Sequence, residues 1–166
     1  LIDRFPECAI VLLGHSLGGA IVARTAHDLQ TQPQLEFPFV KRQVVGLLVI
    51  DVVEGSAIDA LPFMKNFVQG RTQKFKRMED AIEYQIKSHG CKNLESARVT
   101  TPPMFVERQG AFWWKTDLLS TEKWWSEWFK GLNNSFLDCH LPKLLLLAHP
   151  DRMDKEMTIA QMQGRF

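Results

Sequence analysis

A short glycine turn limits the architecture of this chain more than any other segment. Gly14-His15-Ser16-Leu17-Gly18-Gly19 lies between an apolar run, Cys8 to Leu13, and a stretch from Leu17 to about Gln30. In that stretch Leu17, Ala20, Ile21, Ala23, Ala26 and Leu29 recur at helical spacing. A second apolar run, Val44 to Ile50, comes after a helix-breaking segment, Pro33 to Pro38. Strand, helix and strand within about 45 residues make a βαβ unit, which requires a parallel sheet and a right-handed crossover. Leu144 to Ala148, bounded by Pro142, predicts a third strand. Apolar residues fill both parities of all three runs, so helices are expected on both faces of the sheet.

Composition narrows the function classes. The 166 residues are 45% hydrophobic and 23% charged, with a formal net charge of +1. That is too apolar and too balanced for a disordered segment. Near-zero charge gives no reason to expect nucleic-acid binding. No apolar run reaches the roughly 20 residues that span a bilayer, so no membrane association is expected. Cys8, Cys91 and Cys139 are too few for a disulfide scaffold and are not spaced as a zinc site. A reducing compartment, cytoplasmic or nuclear, is the simpler expectation. The chain starts at Leu1 and reaches a strand-like run within about eight residues, with no signal-peptide pattern. It reads as an internal piece of a longer protein.

The expected organisation is a single incomplete α/β domain over residues 1–166. Its core comprises 1–54 and 142–166, and a helical, lid-like region at 55–141 is inserted between the second and third strands. Ala57 to Gln69 and Met78 to Ser88 read as helices, and the surroundings of Thr100 to Pro103 as loop. Ser120 is placed to cap a helix running to about Phe136.

The turn carries the chemistry. G-x-S-x-G between a strand and a helix puts the serine in a strained backbone conformation at the C-terminal edge of the sheet. Gly14 and Gly18 are expected to keep side chains out of the crowded turn. Ser16 is the candidate nucleophile, and the Leu17 amide is a candidate oxyanion donor at the helix N-terminus. A serine needs a base, and the base needs an orienting acid. Asp51 ends the second strand. Asp151 and Asp154 follow the third, and spacing alone does not choose between Asp51 and Asp151. Among the histidines, His15 lies inside the turn, His27 is about three helical turns away, and His89 is in the inserted region. His140 precedes the third strand. His149 has the right edge but precedes Asp151.

Two further features stand out. Lys65 to Lys92 holds seven Lys/Arg against three acids, a local +4 that leaves −3 elsewhere. It reads as a solvated helix face or a docking surface for an acidic partner. All five tryptophans, Trp113, Trp114, Trp124, Trp125 and Trp128, fall within 16 positions. They read as the core of the inserted region or as the lining of a groove.

With these residues in view, the chain resembles the protein phosphatase methylesterase family of α/β-hydrolases. The matching segments are GHSLGGAIVARTA, LLVIDVVEGSAIDAL, NFVQGRTQKFKRMEDAIEYQIKS, NLESARV, TEKWWSEWFKGL and PKLLLLAHPDRMDKEMTIAQMQGRF. IDVVEG and NLESARV discriminate far better than the serine motif. The resemblance implies a partial α/β-hydrolase fold and a serine carboxylesterase. Its substrate and partner would be the type 2A protein phosphatase catalytic subunit, demethylated at its C-terminal leucine methyl ester. It implies Ser16 as nucleophile, Leu17 as first oxyanion donor and Asp51 as the acid, which leaves Asp151 and Asp154 structural. The family's histidine follows the MQG-K/R-F segment, beyond Phe166, so this chain alone is expected to be inactive. No cofactor or metal is implied. The alternatives are a general esterase or lipase, and a catalytically incomplete piece that only binds the phosphatase. Two departures affect docking rather than chemistry. A short aromatic segment, Thr100 to Thr116, stands where the family often has a long acidic insertion, and the Gln30 to Gln43 connection is longer than usual.

Overall fold

The computed structural model describes residue 5 and residues 7–32, 43–88 and 90–166. The predicted break at Pro33 to Pro38, most of the Gln30 to Gln43 connection and His89 lie outside the described residues. In chain order the elements are β1 (Ile10–His15), α1 (Leu17–Thr31), β2 (Val44–Ile50), α2 (Glu54–Gly70), β3 (Lys74–Phe75), α3 (Met78–Lys87), α4 (Leu94–Thr100), β4 (Phe105–Arg108), β5 (Ala111–Trp114), α5 (Trp125–Phe129), α6 (Leu132–Leu137), β6 (Lys143–Leu146) and α7 (Lys155–Met162). They form two compact units: Leu1–Pro62 with Trp124–Phe166, and Phe63–Lys123. Residues 55–62 and 124–141 therefore group with the parallel sheet, and the division within α2 falls just after Pro62.

The larger unit is built on a parallel sheet of order β1-β2-β6. Its register aligns Leu12 with Leu47 and Lys143, and Gly14 with Val49 and Leu145. This face enters a core with Ala20, Ala23 and Ala26 of α1, Leu132 and Phe136 of α6, and Met157 and Ala160 of α7. The other face is open among the described residues. Val11 is 58% exposed, Leu13 59%, Leu144 49% and Leu146 46%. Among the described residues, the helices packed in this core lie on one side of the sheet. The third strand also ends at Leu146 rather than Ala148, because the Ala148 N–H donates to the Asp51 carboxylate (3.1 Å).

Two cations close the short helices of this unit. Lys143 Nζ donates to the carbonyls of Phe136, Leu137 and Cys139 at 2.9, 2.6 and 2.9 Å, and loss of water around the ammonium lowers its pKa. Arg24 Nη2 donates to Glu127 O (2.7 Å) and Lys130 O, serving carbonyls the end of α5 leaves unpaired. The single helix expected from Ser120 to Phe136 is absent. A 3-10 turn (Leu119–Trp124), α5 and α6 replace it, with Gly131 at φ 80° separating the last two. Ser120 does not cap a helix with its side chain; its N–H donates to Asp117 Oδ1 (3.3 Å).

The smaller unit carries an antiparallel sheet of order β3-β5-β4. Gln109 and Gly110, at φ 52° and 71°, form the two-residue turn between β4 and β5. Positive φ at both central positions gives a hairpin the right-handed twist its strands need. Phe75, Ala81 and Phe105 form the core, with Met78, Tyr84, Phe112 and Trp114 packed against them. The region around Thr100 to Pro103, expected as loop, holds α4 and this hairpin. Asn93 caps α4 by accepting from the Ser96 N–H (2.9 Å). The tryptophans do not form one core. Trp114 packs in the small core, whereas Trp125 is buried in the larger unit and Trp128 packs against its core.

Candidate active site

The residues of interest converge on the C-terminal edge of the parallel sheet. The last paired residues of β1 and β2 are His15 and Ile50, so Ser16 and Asp51 follow on neighbouring strands. Such strands run about 4.8 Å apart. The Ser16 N–H donates to Ile50 O (2.9 Å), and the Asp51 N–H to Leu146 O (2.7 Å). The three strand ends are thereby stitched together in sequence.

Both residues hold positive φ, Ser16 at 52° and Asp51 at 54°. An L-residue other than Asn or Asp pays for that conformation in steric strain, and such strain concentrates at functional turns. At Ser16 the strain follows from geometry: the chain reverses from strand to helix in one residue. A Cβ on Gly14 would sit 2.1 Å from the Gly18 carbonyl oxygen, and one on Gly19 would sit 2.7 Å from Val52 Cγ1. Gly18 itself faces open space among the described residues, so the expected pair of spacers, Gly14 and Gly18, is in fact Gly14 and Gly19. Ser16 is exposed, and its side chain makes no capping bond to α1. Leu17 opens α1, so its N–H is among the donors a helix leaves without an internal partner.

Asp51 is half-buried, and its Oδ1 accepts from Ala148 N–H. That bond orients the carboxylate along the strand-end edge. The loop behind it is locked. Val52 and Val53 are buried, and the first turn of α2 is held from outside the helix. Glu54 N–H donates to Asn133 Oδ1 (3.0 Å), and Gly55 N–H to Asp154 Oδ2 (2.9 Å). Asn133 is 3% exposed; its Nδ2 donates to Asp154 Oδ2 (2.9 Å) and Glu156 Oε2 (2.8 Å), and its N–H donates to Glu54 Oε2 (3.3 Å). Asp154 Oδ1 also accepts from Met157 N–H (2.9 Å), capping α7. Sequence reasoning missed this network. Its one local signal is that Val53, just before Glu54, has no side-chain acceptor to cap α2.

The remaining titratable groups are more scattered. Asp151 is exposed and pairs with His149 Nδ1 (3.1 Å) in the turn after β6. His27 lies against Asp28 on α1 (3.5 Å), and His140 is exposed ahead of β6, its N–H donating to Gln30 Oε1 (2.8 Å). Among the described residues, no group of three or more His, Cys, Asp or Glu is placed to hold a metal ion. Nor is any described helix long and apolar enough to cross a membrane.

Known proteins resemble this chain in sequence and in fold. No family model matches the chain. Protein phosphatase methylesterase 1 of Bos taurus is 40% identical over 200 residues, an alignment covering 95% of this chain and 50% of the relative. The protein of that name from Schizosaccharomyces pombe is 44% identical over 158 residues, covering 95% of this chain and 43% of its own. The chain thus spans about half the length of the curated relatives it matches. Among solved structures, E-2-(acetamidomethylene)succinate hydrolase superposes with a TM-score of 0.72 at 15% identity, over 98% of this chain and 58% of that one. A marine microorganism esterase superposes with a TM-score of 0.58 at 17% identity, over 96% and 59%. These structural neighbours are α/β-hydrolases and speak for the fold alone. The chain has a partial α/β-hydrolase fold and, over 95% of its length, is homologous to a stretch making up about half the length of each of these two proteins named protein phosphatase methylesterase 1.

Proposed function

We propose that this chain carries the nucleophile and the acid of a serine carboxylesterase. The observation that carries this reading is the pair Ser16 and Asp51, both at positive φ on adjacent strand ends of one sheet edge. The relatives' name supports a methyl ester as the group removed. The proposed substrate is the C-terminal leucine methyl ester of the type 2A phosphatase catalytic subunit, which is also the proposed partner.

Ser16 Oγ attacks the ester carbonyl carbon as a histidine takes its proton. The resemblance implies that this histidine lies on a segment following the MQG-K/R-F motif. Asp51 orients the imidazole and stabilises its charged form. The Leu17 N–H, at the positive end of α1, donates to the oxyanion. The proton returns to the leaving oxygen, methanol departs, and water hydrolyses the acyl-serine to the free carboxylate. A cytoplasmic or nuclear setting fits this partner.

The test is methanol release from a peptide ending in leucine methyl ester, catalysed by a chain extended to the relatives' length. Ser16→Ala is expected to abolish turnover, and Asp51→Asn to lower it by about 10³- to 10⁴-fold. Turnover retained by Ser16→Ala would overturn the assignment. Retained turnover in Asp51→Asn, with loss in Asp151→Asn, would move the acid to the later loop.

A further inference from the structure

The smaller unit has a second surface feature that the esterase reading does not use. Phe63–Lys123 contains eleven Lys/Arg and seven Asp/Glu, a net +4. Much of that charge is locally matched. Lys65 pairs with Glu122 (2.8 Å), Arg77 with Glu79 (3.3 Å), Lys87 with Glu83 and Arg98 with Glu95 (2.7 Å). Arg71 lies over the Trp114 ring, 4.3 Å from its centroid, and donates to Thr116 O (3.3 Å).

The outward face of the small sheet is different. The register aligns Lys74 with Trp113 and Val106, and Arg108 with Ala111. Directly opposed residues share a face, so Lys74, Val106, Arg108, Ala111 and Trp113 stand together. The inward face takes Phe75, Phe105, Phe112 and Trp114, and the strand carboxylate, Glu107, pairs with Phe112 on that parity. The outward strand positions therefore carry two cations and no acid. Lys74 Nζ lies 5.0 Å from the Trp113 ring centroid, and no carboxylate pairs with it or with Arg108 among the described residues. Lys76, also exposed, follows two residues after Lys74.

We propose that this outward face docks an acidic peptide segment of a partner protein, with Lys74 and Arg108 meeting its carboxylates and Trp113 seating one apolar side chain. Charge complementarity selects the occupant. Two cations flank one indole and the small apolar surface of Val106 and Ala111. That pattern suits a segment alternating acid and apolar residues, where the desolvated ring supplies the anchor and the charges speed encounter. Single-stranded nucleic acid is a worse match, since successive bases need successive rings and this face has one. The inference is independent of the esterase reading, and its test measures binding alone.

The experiment is fluorescence anisotropy of a fluorescein-labelled decapeptide of alternating Glu and Ser with one central Leu, titrated with the 166-residue chain. Binding is expected to weaken about tenfold as salt rises from about 50 to about 300 mM. Lys74→Glu with Arg108→Glu is expected to weaken it at least about tenfold, and Trp113→Ala by a similar factor. Lys76→Glu, at an exposed site outside the strands, is expected to weaken it a fewfold without touching the sheet. Lys92→Glu, at an exposed position outside the strands of the small sheet, is expected to leave it within about twofold. No binding, equal binding of the peptide with Gln for Glu, or equal binding by the double variant would overturn the proposal. Tighter binding of an oligothymidylate of the same length would overturn it in favour of nucleic acid.

Discussion

The two units of this chain reach stability by different means. The larger lays one face of a parallel sheet against α1, α6 and α7, and joins its loops through the buried Asn133 and the half-buried Lys143. The smaller is centred on a cluster of three buried residues, Phe75, Ala81 and Phe105, with aromatic rings around them and a cation over a ring. It holds the net +4, and the remainder of the chain holds −3. The contrast follows from size. A small core excludes little water, so large rings and their edges must supply most of the contact. A larger core can afford a buried amide, provided every polar atom finds a partner.

Substitutions that test the larger unit are expected to have the larger effects. Gly14→Ala drives a methyl into the Gly18 carbonyl, and a loss on the order of 4 kcal/mol or more is expected in thermal melts. A near-wild-type melt would mean the turn is less tight than described. Phe136→Ala empties part of the main core and is expected to cost about 3–5 kcal/mol.

Asn133→Ala removes the amide shared by Asp154 and Glu156, with an expected loss of about 2–4 kcal/mol. Asn133→Asp sharpens this test. It adds a carboxylate beside Glu54, Asp154 and Glu156, so its folded-state pKa is raised above the unfolded value. Its penalty is therefore full at neutral pH and shrinks as pH falls through the raised pKa. A pH-independent deficit relative to wild type would show that charge crowding is not the cause.

In the smaller unit, Arg71→Met keeps the hydrocarbon and removes the charge from the Trp114 face. The expected loss is about 0.5–1 kcal/mol, read from denaturant melts. The smallest effect is expected at the open sheet face. Leu13→Thr should change stability by less than about 0.5 kcal/mol, because Leu13 is 59% exposed. A core-sized loss there would mean that something covers the face in solution.

The parallel sheet, α1 and the placement of Ser16 and Asp51 on one edge were legible in the sequence, because strand and helix periodicities flank a turn only glycine can make. The open face was not. Residues such as Val11 and Leu13 are apolar whether or not this chain covers them. The hairpin at β4 and β5 was missed because Gln109-Gly110 is a weak turn signal beside the breaker at Thr100 to Pro103. The break between α5 and α6 turns on one glycine whose left-handed backbone the apolar spacing does not register. The Asn133 network joins residues 79 positions apart in sequence, a separation that local pattern cannot bridge.

The central claim is that Ser16 is the reactive hydroxyl. A chain extended to the relatives' length, treated with a fluorophosphonate and mapped by mass spectrometry, should carry one adduct. It should sit on the peptide containing Ser16 and vanish in Ser16→Ala. An adduct on any other serine, or labelling that survives that substitution, would contradict the account.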